Sequence, residues 1–353
     1  METIQSSLVD LGDHAAPQGS VLGGLLFIIN ENDLPICREE GDSVLFVDDD
    51  TDVVSDADPE AMVAKIQQEA NHSSDWLRDN RMCVAGSKSK LLVVATKGLR
   101  KNKLGRVLLI TVDEKRVVET QSEKLLGVTM NNQMTWKEHL YGETWRVGNE
   151  KNNPGLIPQL SQRLGILRKI STISSKKTLR MLAQGLFYSK LNYCLPLFCN
   201  TWGLDKYKDG DTRSISFTKE DNRRLQVLQN QVDRQALQGR MNIPTKELLT
   251  LSGDLSVHQL GALRTLNLTK KILITRKPSH LARRLQLNKE RVTRSGATIR
   301  ETNTSLTLVR EGFIYRGSSL YNMIPESMKK ETNMEKFKKL SKAWVRENIE
   351  IKP

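Results

Sequence analysis

Apolar and polar positions follow different rhythms in different parts of this chain. An apolar stretch, SVLGGLLFIINENDLP, opens at Ser20 and closes at Pro35. A serine cap before it and a proline after it predict one helix, weakened by Gly23 and Gly24. Residues 43–47 read as a strand, the aspartates Asp48, Asp49 and Asp50 as a tight turn, and 53–54 as the returning strand. Asp58 as cap and Pro59 at the first helical position start the next helix, with Val63, Ile66, Ala70 and Leu77 at its apolar positions. From Arg81 the period shortens to β-like runs at 82–84, 91–95, 107–112 and 116–118, with a hairpin around Asp113 and Glu114. After Trp136 the helical period takes over. Leu179, Leu182, Ala183, Leu186 and Tyr193 share one face, interrupted by Lys190, and further helices are expected over 222–235, 258–274 and 334–345. The polar segment 206–221 reads as a loop. The pattern predicts an α+β fold: a small mixed piece followed by a mainly helical one.

At 353 residues there is room for two or three domains, and a hydrophobic fraction of 38% fits a globular chain, not a disordered one. The longest apolar run near the start, 21–29, is far too short to cross a bilayer. The first residues lack the basic and apolar regions of a signal peptide, so a nuclear or cytoplasmic location is expected. Cys37, Cys83, Cys194 and Cys199 form no CxxC pair and read as reduced thiols. The five scattered histidines make no zinc-like cluster with them.

Charge changes the picture more. The formal net charge is +13, but residues 1–150 carry 16 Lys and Arg against 25 Asp and Glu, a balance of −9, and the remainder carries +22. An acidic front suits the holding of cations and a basic rear the holding of polyanions; lysine-rich solvated helix faces are the plain alternative.

Three adjacent carboxylates at a strand end repel one another, and three explanations compete. In an EF-hand loop Asp48, Asp50 and Asp52 would take the first, third and fifth positions, but Val53 stands where glycine is needed and Pro59 where a bidentate glutamate belongs. A solvated acidic turn needs no ligand. A polymerase site does: transfer to a 3′-hydroxyl uses two magnesium ions about 4 Å apart, and a hairpin tip presents adjacent carboxylates to both.

The residues FVDD at 46–49 resemble the F/Y-x-D-D box of reverse transcriptases. PQGSVLGGLLFIINENDLP upstream is similar to the segment preceding that box in LINE-type retrotransposon enzymes, which lack long terminal repeats. WLRDNRMCVAGSKSKLLVV, KLLGVTMNNQMTWKEHL and, further on, RLGILRKI, LFYSKLNYCLPLFCNTWG, RLQVLQNQ, PTKELLTLSGDLSVHQL and FIYRGSSLYNMIPESM follow in the family's order. The resemblance covers nearly the whole chain.

It implies a partial polymerase palm over 1–140, of antiparallel strands with helices, then a basic, mainly helical thumb and connection region over 141–353. Asp48 and Asp49 would be the catalytic aspartates and the ligands of Mg2+ or Mn2+. Gln18, Gly19, Ser20 and Lys88 would lie near nucleotide and template, and Leu126 and Gly127 in the turn near the primer end. The partners implied are an RNA template and a DNA primer. The family's third aspartate comes from a palm strand well upstream of PQGS; only 16 residues precede Pro17, and Asp10 and Asp13 lie in what resembles the connecting segment. Gly24, Ala85 and Leu125 also depart from the family's usual residues, and Asp50 replaces a serine or threonine. The expectation is a truncated RNA-directed DNA polymerase, inactive alone. Two alternatives are a non-catalytic nucleic-acid-binding protein using the basic helices, with Arg163, Arg168 and Lys169 among the contacts, and a fragment whose uncovered apolar edges leave it unstable.

Overall fold

A local signal sets the first long helix. The Asp58 side chain accepts a hydrogen bond from the Ala61 N–H at 3.1 Å, and Pro59 fixes the first turn. The computed structural model of the chain describes residues 22–95, 97–100, 104, 107–142, 154–199, 217–238, 243–293, 296–301 and 307–351. The chain divides into two units, Met1–Glu123 and Lys124–Pro353. The division precedes the boundary expected at 140, because Val128, Trp136 and Leu140 bury their side chains in the core of the second unit. The architecture is α+β.

In the first unit, helix α1 (Gly23–Asn30) is followed by a 3-10 turn (Leu34–Cys37), the strands β1 (Asp42–Phe46) and β2 (Asp49–Val53), and helix α2 (Pro59–Asp79). The helix expected up to Pro35 thus stops at Asn30, and Pro35 starts a separate turn in place of ending the helix. No residue of α1 is buried, and Leu25, Leu26, Ile28 and Ile29 all face solvent. A three-stranded sheet has the order β3 (Leu91–Leu92), β5 (Lys115–Thr120), β4 (Leu109–Val112), with β3 parallel and β4 antiparallel to β5. Asp113 and Glu114 make the β4–β5 turn, both at positive φ, as a two-residue hairpin of this hand requires. On β4 the alternation is clean: Ile110 and Val112 are buried against Ile66 and Ala70 of α2, while Leu109 is exposed. The Gln67 amide both accepts from the Thr111 N–H and donates to the Thr111 carbonyl, each at 2.7 Å, satisfying the open edge of β4 as a neighbouring strand would. Residues 82–84, expected as a strand, find no strand partner and run as irregular chain.

A hairpin at the division, β6 (Ser122–Leu125) and β7 (Val128–Asn131), leads into helices α3 (Lys137–Tyr141) and α4 (Leu156–Ser171). Helix α5 (Lys176–Leu182) runs on through a π segment (Ala183–Tyr188) into a last α turn (Ser189–Asn192). The π segment rotates the buried face. Phe187, Tyr188 and Leu191 enter the core, and Tyr193, expected on the apolar face, stands half-exposed. Next come α6 (Leu195–Phe198), α7 (Lys219–Leu237), α8 (Thr245–Ser252) and α9 (Val257–Thr275). Capping boxes at Thr218/Asp221 and Ser256/Gln259 start α7 and α9. Helix α10 (Ser279–Arg284), the hairpin β8 (Leu287–Thr293) and β9 (Gly296–Ile299), and helices α11 (Phe313–Met323), α12 (Glu326–Lys330) and α13 (Met334–Asn348) close the second core.

Candidate functional site

The register of the β1–β2 ribbon sets the geometry of the aspartates. Phe46 pairs with Asp49 and Leu45 with Asp50, so only Val47 and Asp48 remain to make the turn. The returning strand therefore begins at Asp49, not at residue 53, and of the three acids Asp48 alone lies in the turn. Val47 carries the reversal at φ 56°. A β-branched residue is a poor occupant of that region, at a cost of roughly 1–3 kcal/mol, and such strain concentrates at functional positions. At the open end of the ribbon the backbones come close: a Cβ on Gly41 would stand 2.8 Å from the Val53 carbonyl oxygen, so only glycine fits.

Alternation along β2 sorts the acids. Asp50 and Asp52 share one face, and both meet Arg38, whose side chain is 2% exposed. The guanidinium pairs with both Asp50 oxygens, the Nη1 contact at 3.0 Å, and with Asp52 at 2.6 Å. It also donates to the Ser43 hydroxyl and, from Nε at 3.2 Å and Nη2 at 3.0 Å, to the Ser73 hydroxyl of α2. Buried Glu69 of α2 accepts the N–H groups of Glu39 and Glu40 at 3.0 and 2.6 Å, which pins the segment leading into β1. Repulsion within the acidic run is thus offset at Asp50 and Asp52 by a bidentate arginine. Asp48 and Asp49 remain exposed, and among the described residues no ion pair reaches them.

Burial pushes the Asp52 carboxyl up to about 6, helped by the Asp50 charge and opposed by Arg38. Burial, then the charges of Asp50 and Asp48, also raise Glu31 at the end of α1, which places that carboxyl in the field of the tip. Neither Arg38 nor Glu31 stood out in the sequence. The acids they interact with lie 12 to 19 positions away across a turn, and the one local signal was a lone arginine in the acidic run REEGD.

Among the described residues no group of three or more His, Cys, Asp or Glu side chains is placed to hold a metal ion. Asp48 and Asp49 offer two carboxylates, and the arginine has taken Asp50. These residues do not by themselves fit a two-magnesium centre. Asp10 and Asp13 lie outside the described residues, as do Gln18, Gly19 and Ser20. Lys88 lies in an exposed turn whose N–H donates to the Ala85 carbonyl at 2.7 Å. No hydrogen bond or ion pair joins it to the ribbon among the described residues.

In the second unit, Leu126 (φ 46°) and Gly127 (φ 84°) form the two-residue turn between β6 and β7. The Tyr193 hydroxyl donates to the Leu126 carbonyl at 2.6 Å, and its ring covers Gly127. Trp136 and His139 both pack on the Phe198 ring, at 5.8 and 4.8 Å between centroids. His139 accepts from the Thr129 N–H at 3.3 Å; burial, with Lys190 and Lys124 nearby, lowers its pKa to about 4, so it is neutral. The W…H spacing of this stretch therefore builds core. Arg163, Arg168 and Lys169 have different surroundings. Arg163 donates to the Leu186 carbonyl inside the π segment, where the helical ladder is interrupted, Arg168 binds Gln231 at 3.0 Å, and Lys169 is exposed.

The chain matches no family model, no curated protein and no solved structure. Among the described residues no helix is long and apolar enough to cross a membrane.

Proposed function

We propose that this chain carries part of an RNA-directed DNA polymerase of the LINE-type retrotransposon class, a palm-like first unit followed in sequence by a basic helical unit, and that it holds nucleic acid without copying it. The observation behind the catalytic half is the ribbon tip. Asp48 and Asp49 stand exposed at a strained two-residue turn, while Asp50 and Asp52 further along the strand are paired with Arg38. A fold needs Asp50 and Asp52 to be paired; it has no need of two bare carboxylates beside a valine at positive φ. Mg2+ or Mn2+ would be the cations attracted there, and with two carboxylates in place the polymerase would be incomplete.

A second reading, a nucleic-acid-binding protein with no polymerase role, is favoured by the charge. Cut at the structural division, the two units carry −9 and +22, the same split as before. Primer extension on a homopolymer template with Mg2+ or Mn2+, run beside a salt titration of binding, tests what the two readings share, binding without copying. Binding that weakens steeply with salt, without extension, is expected. Processive synthesis abolished by Asp48→Ala would show a complete enzyme. Absence of any binding would remove both readings.

A further inference from the structure

The second unit contains a concavity of about 1050 Å3 lined by Arg276, Arg283 and Arg300 together with Ser279, Gln286 and Asn288. We infer that it is a binding site for the phosphodiester backbone of a nucleic acid. The inference rests on the nucleic-acid reading above and gives it a place.

Three elements bring the arginines together. Arg276 ends α9 in a left-handed conformation, its N–H bonded to the Ile272 carbonyl at 2.8 Å. Arg283 lies on α10, and Arg300 follows β9, its N–H bonded to the Gln286 carbonyl at 3.1 Å. The scaffold behind them is fixed: Ala282, Leu285 and Ile299 are buried in the second core, and the Asn322 amide clamps both backbone groups of Ile299, at 2.7 and 3.0 Å. Guanidinium groups held on rigid backbone are suited to forked contacts with phosphate oxygens.

Charge bookkeeping separates this site from ordinary surface. Residues 270–300 contain ten Lys and Arg and a single acid, Glu290. Elsewhere in the unit several exposed arginines find carboxylates: Arg223 and Arg224 share Glu220, and Arg180 meets Asp254. Among the described residues none of the three cavity arginines has such a partner, and no acid lines the wall. Like charges gathered without counter-charge work against folding, so an anion from outside is the natural complement. A lipid surface is the poorer match, because no exposed large apolar side chain lines the concavity to enter a membrane. Neutral donors from Ser279 and Gln286 suit phosphate oxygens, which take most protein–nucleic acid hydrogen bonds.

The test uses the full chain and a short fluorescein-labelled RNA–DNA hybrid, followed by anisotropy across a salt series. The triple variant R276A/R283A/R300A is expected to lose about tenfold or more in affinity. Its log–log salt slope should shrink by about 2–3, at roughly 0.9 per phosphate contact. Removing equal charge from α13 with K336A/K339A/K342A should change affinity less than about twofold. Equal losses in the two variants overturn the site while leaving the nucleic-acid reading intact; a wild-type chain that does not bind removes that reading itself. Should the alanine variant fail to melt like the wild type, R276K/R283K/R300K replaces it, and a retained slope with weaker affinity is expected because ammonium groups cannot fork. Ultraviolet crosslinking of the wild-type complex should then place the hybrid on peptides containing 276–300, and crosslinks confined elsewhere count against the site. Phosphatidylserine vesicles form the last arm. If the triple variant loses vesicle binding but keeps the hybrid, the cavity is a lipid site and the inference falls.

Discussion

The two units solve the problem of burial differently. Among the described residues, the second unit gathers 18 buried hydrophobic residues in one core and 14 in another. The first has two clusters of three each, beside a helix with no buried residue and a ribbon whose Val44, Phe46 and Val53 are exposed. Small cores leave little margin over chain entropy. The first unit replaces apolar packing with polar pins, namely Arg38 to Asp50 and Asp52, Glu69 to the 39–40 backbone, and Gln67 to Thr111. A ribbon tip positioned by charge is stiff only while every partner is present, whereas helices positioned by leucine and phenylalanine tolerate loss of a surface charge.

Denaturation should expose this difference as two transitions, the first unit melting at lower urea. The largest single effect belongs to the thick core. Phe187→Ala removes a fully buried ring at the π segment and should move the upper transition by about 3–5 kcal/mol. A shift of the lower transition by the same variant would show that the two units do not melt separately. Next comes the polar pin. Arg38→Met leaves Asp50 and Asp52 without their counter-charge and should cost the lower transition about 3 kcal/mol. Adding Asp50→Asn and Asp52→Asn to that variant should recover most of the loss. An unmoved lower transition in Arg38→Met would mean that α2, not the ion pair, holds the ribbon.

Features written locally were legible in the sequence. Asp58–Pro59 announces α2, the acidic pair Asp113–Glu114 marks its hairpin, and the long helices expected from period over 222–235, 258–274 and 334–345 stand with wider ends, at 219–237, 257–275 and 334–348. Features that depend on distant partners were not. Residues 82–84 have strand-like side chains but no edge to pair with, so they stay irregular. The apolar face expected through Tyr193 holds up to Ala183 and then rotates, because a π segment adds a residue to the turn without any change of residue type to announce it. At the candidate site the ribbon and its exposed pair Asp48 and Asp49 came from FVDD, while the engagement of Asp50 became visible only when Arg38 folded across. The cavity arginines were present as a charge run, but only the backbone of α10 and the β8–β9 hairpin shows which three share a wall.

A pH scan sharpens the comparison from the side of the second unit. Its buried polar group Asp233 accepts from the Tyr188 hydroxyl at 2.6 Å. Burial pushes the Asp233 carboxyl up to about 7, opposed by that hydrogen bond and reinforced by Asp254. The folded state therefore keeps a proton that the unfolded chain releases near its ordinary value of 3.8. Between about pH 4 and 7 each step upward favours the unfolded state, so stability falls across that window and levels off above it. The fall should be on the order of 2 kcal/mol and should flatten in Asp233→Asn. A wild-type upper transition that rises or stays level from pH 4 to 7 would show that Asp233 is ionised in the fold.

The smallest effect tests whether the Leu126–Gly127 turn is held by its own backbone or by its neighbour. Gly127 sits at φ 84°, where an added Cβ meets only the Tyr193 ring at 3.5 Å. Space is therefore adequate and conformation is the obstacle, so Gly127→Ala should cost about 1 kcal/mol. Tyr193→Phe leaves the ring in place and removes the hydroxyl with its hydrogen bonds to the Leu126 carbonyl, a group exposed enough to be rehydrated, and to Cys194, and should cost about 0.5 kcal/mol. The two variants act through different means on one turn, so their combined cost should fall short of or exceed the sum only if the hydroxyl is what forces Leu126 into positive φ. Hydrogen exchange of the Val128 and Thr129 amides reads the same turn directly. Faster exchange in Gly127→Ala than in Tyr193→Phe is the expected order, and the reverse would make Tyr193, a helix-borne side chain, the true determinant of the hairpin.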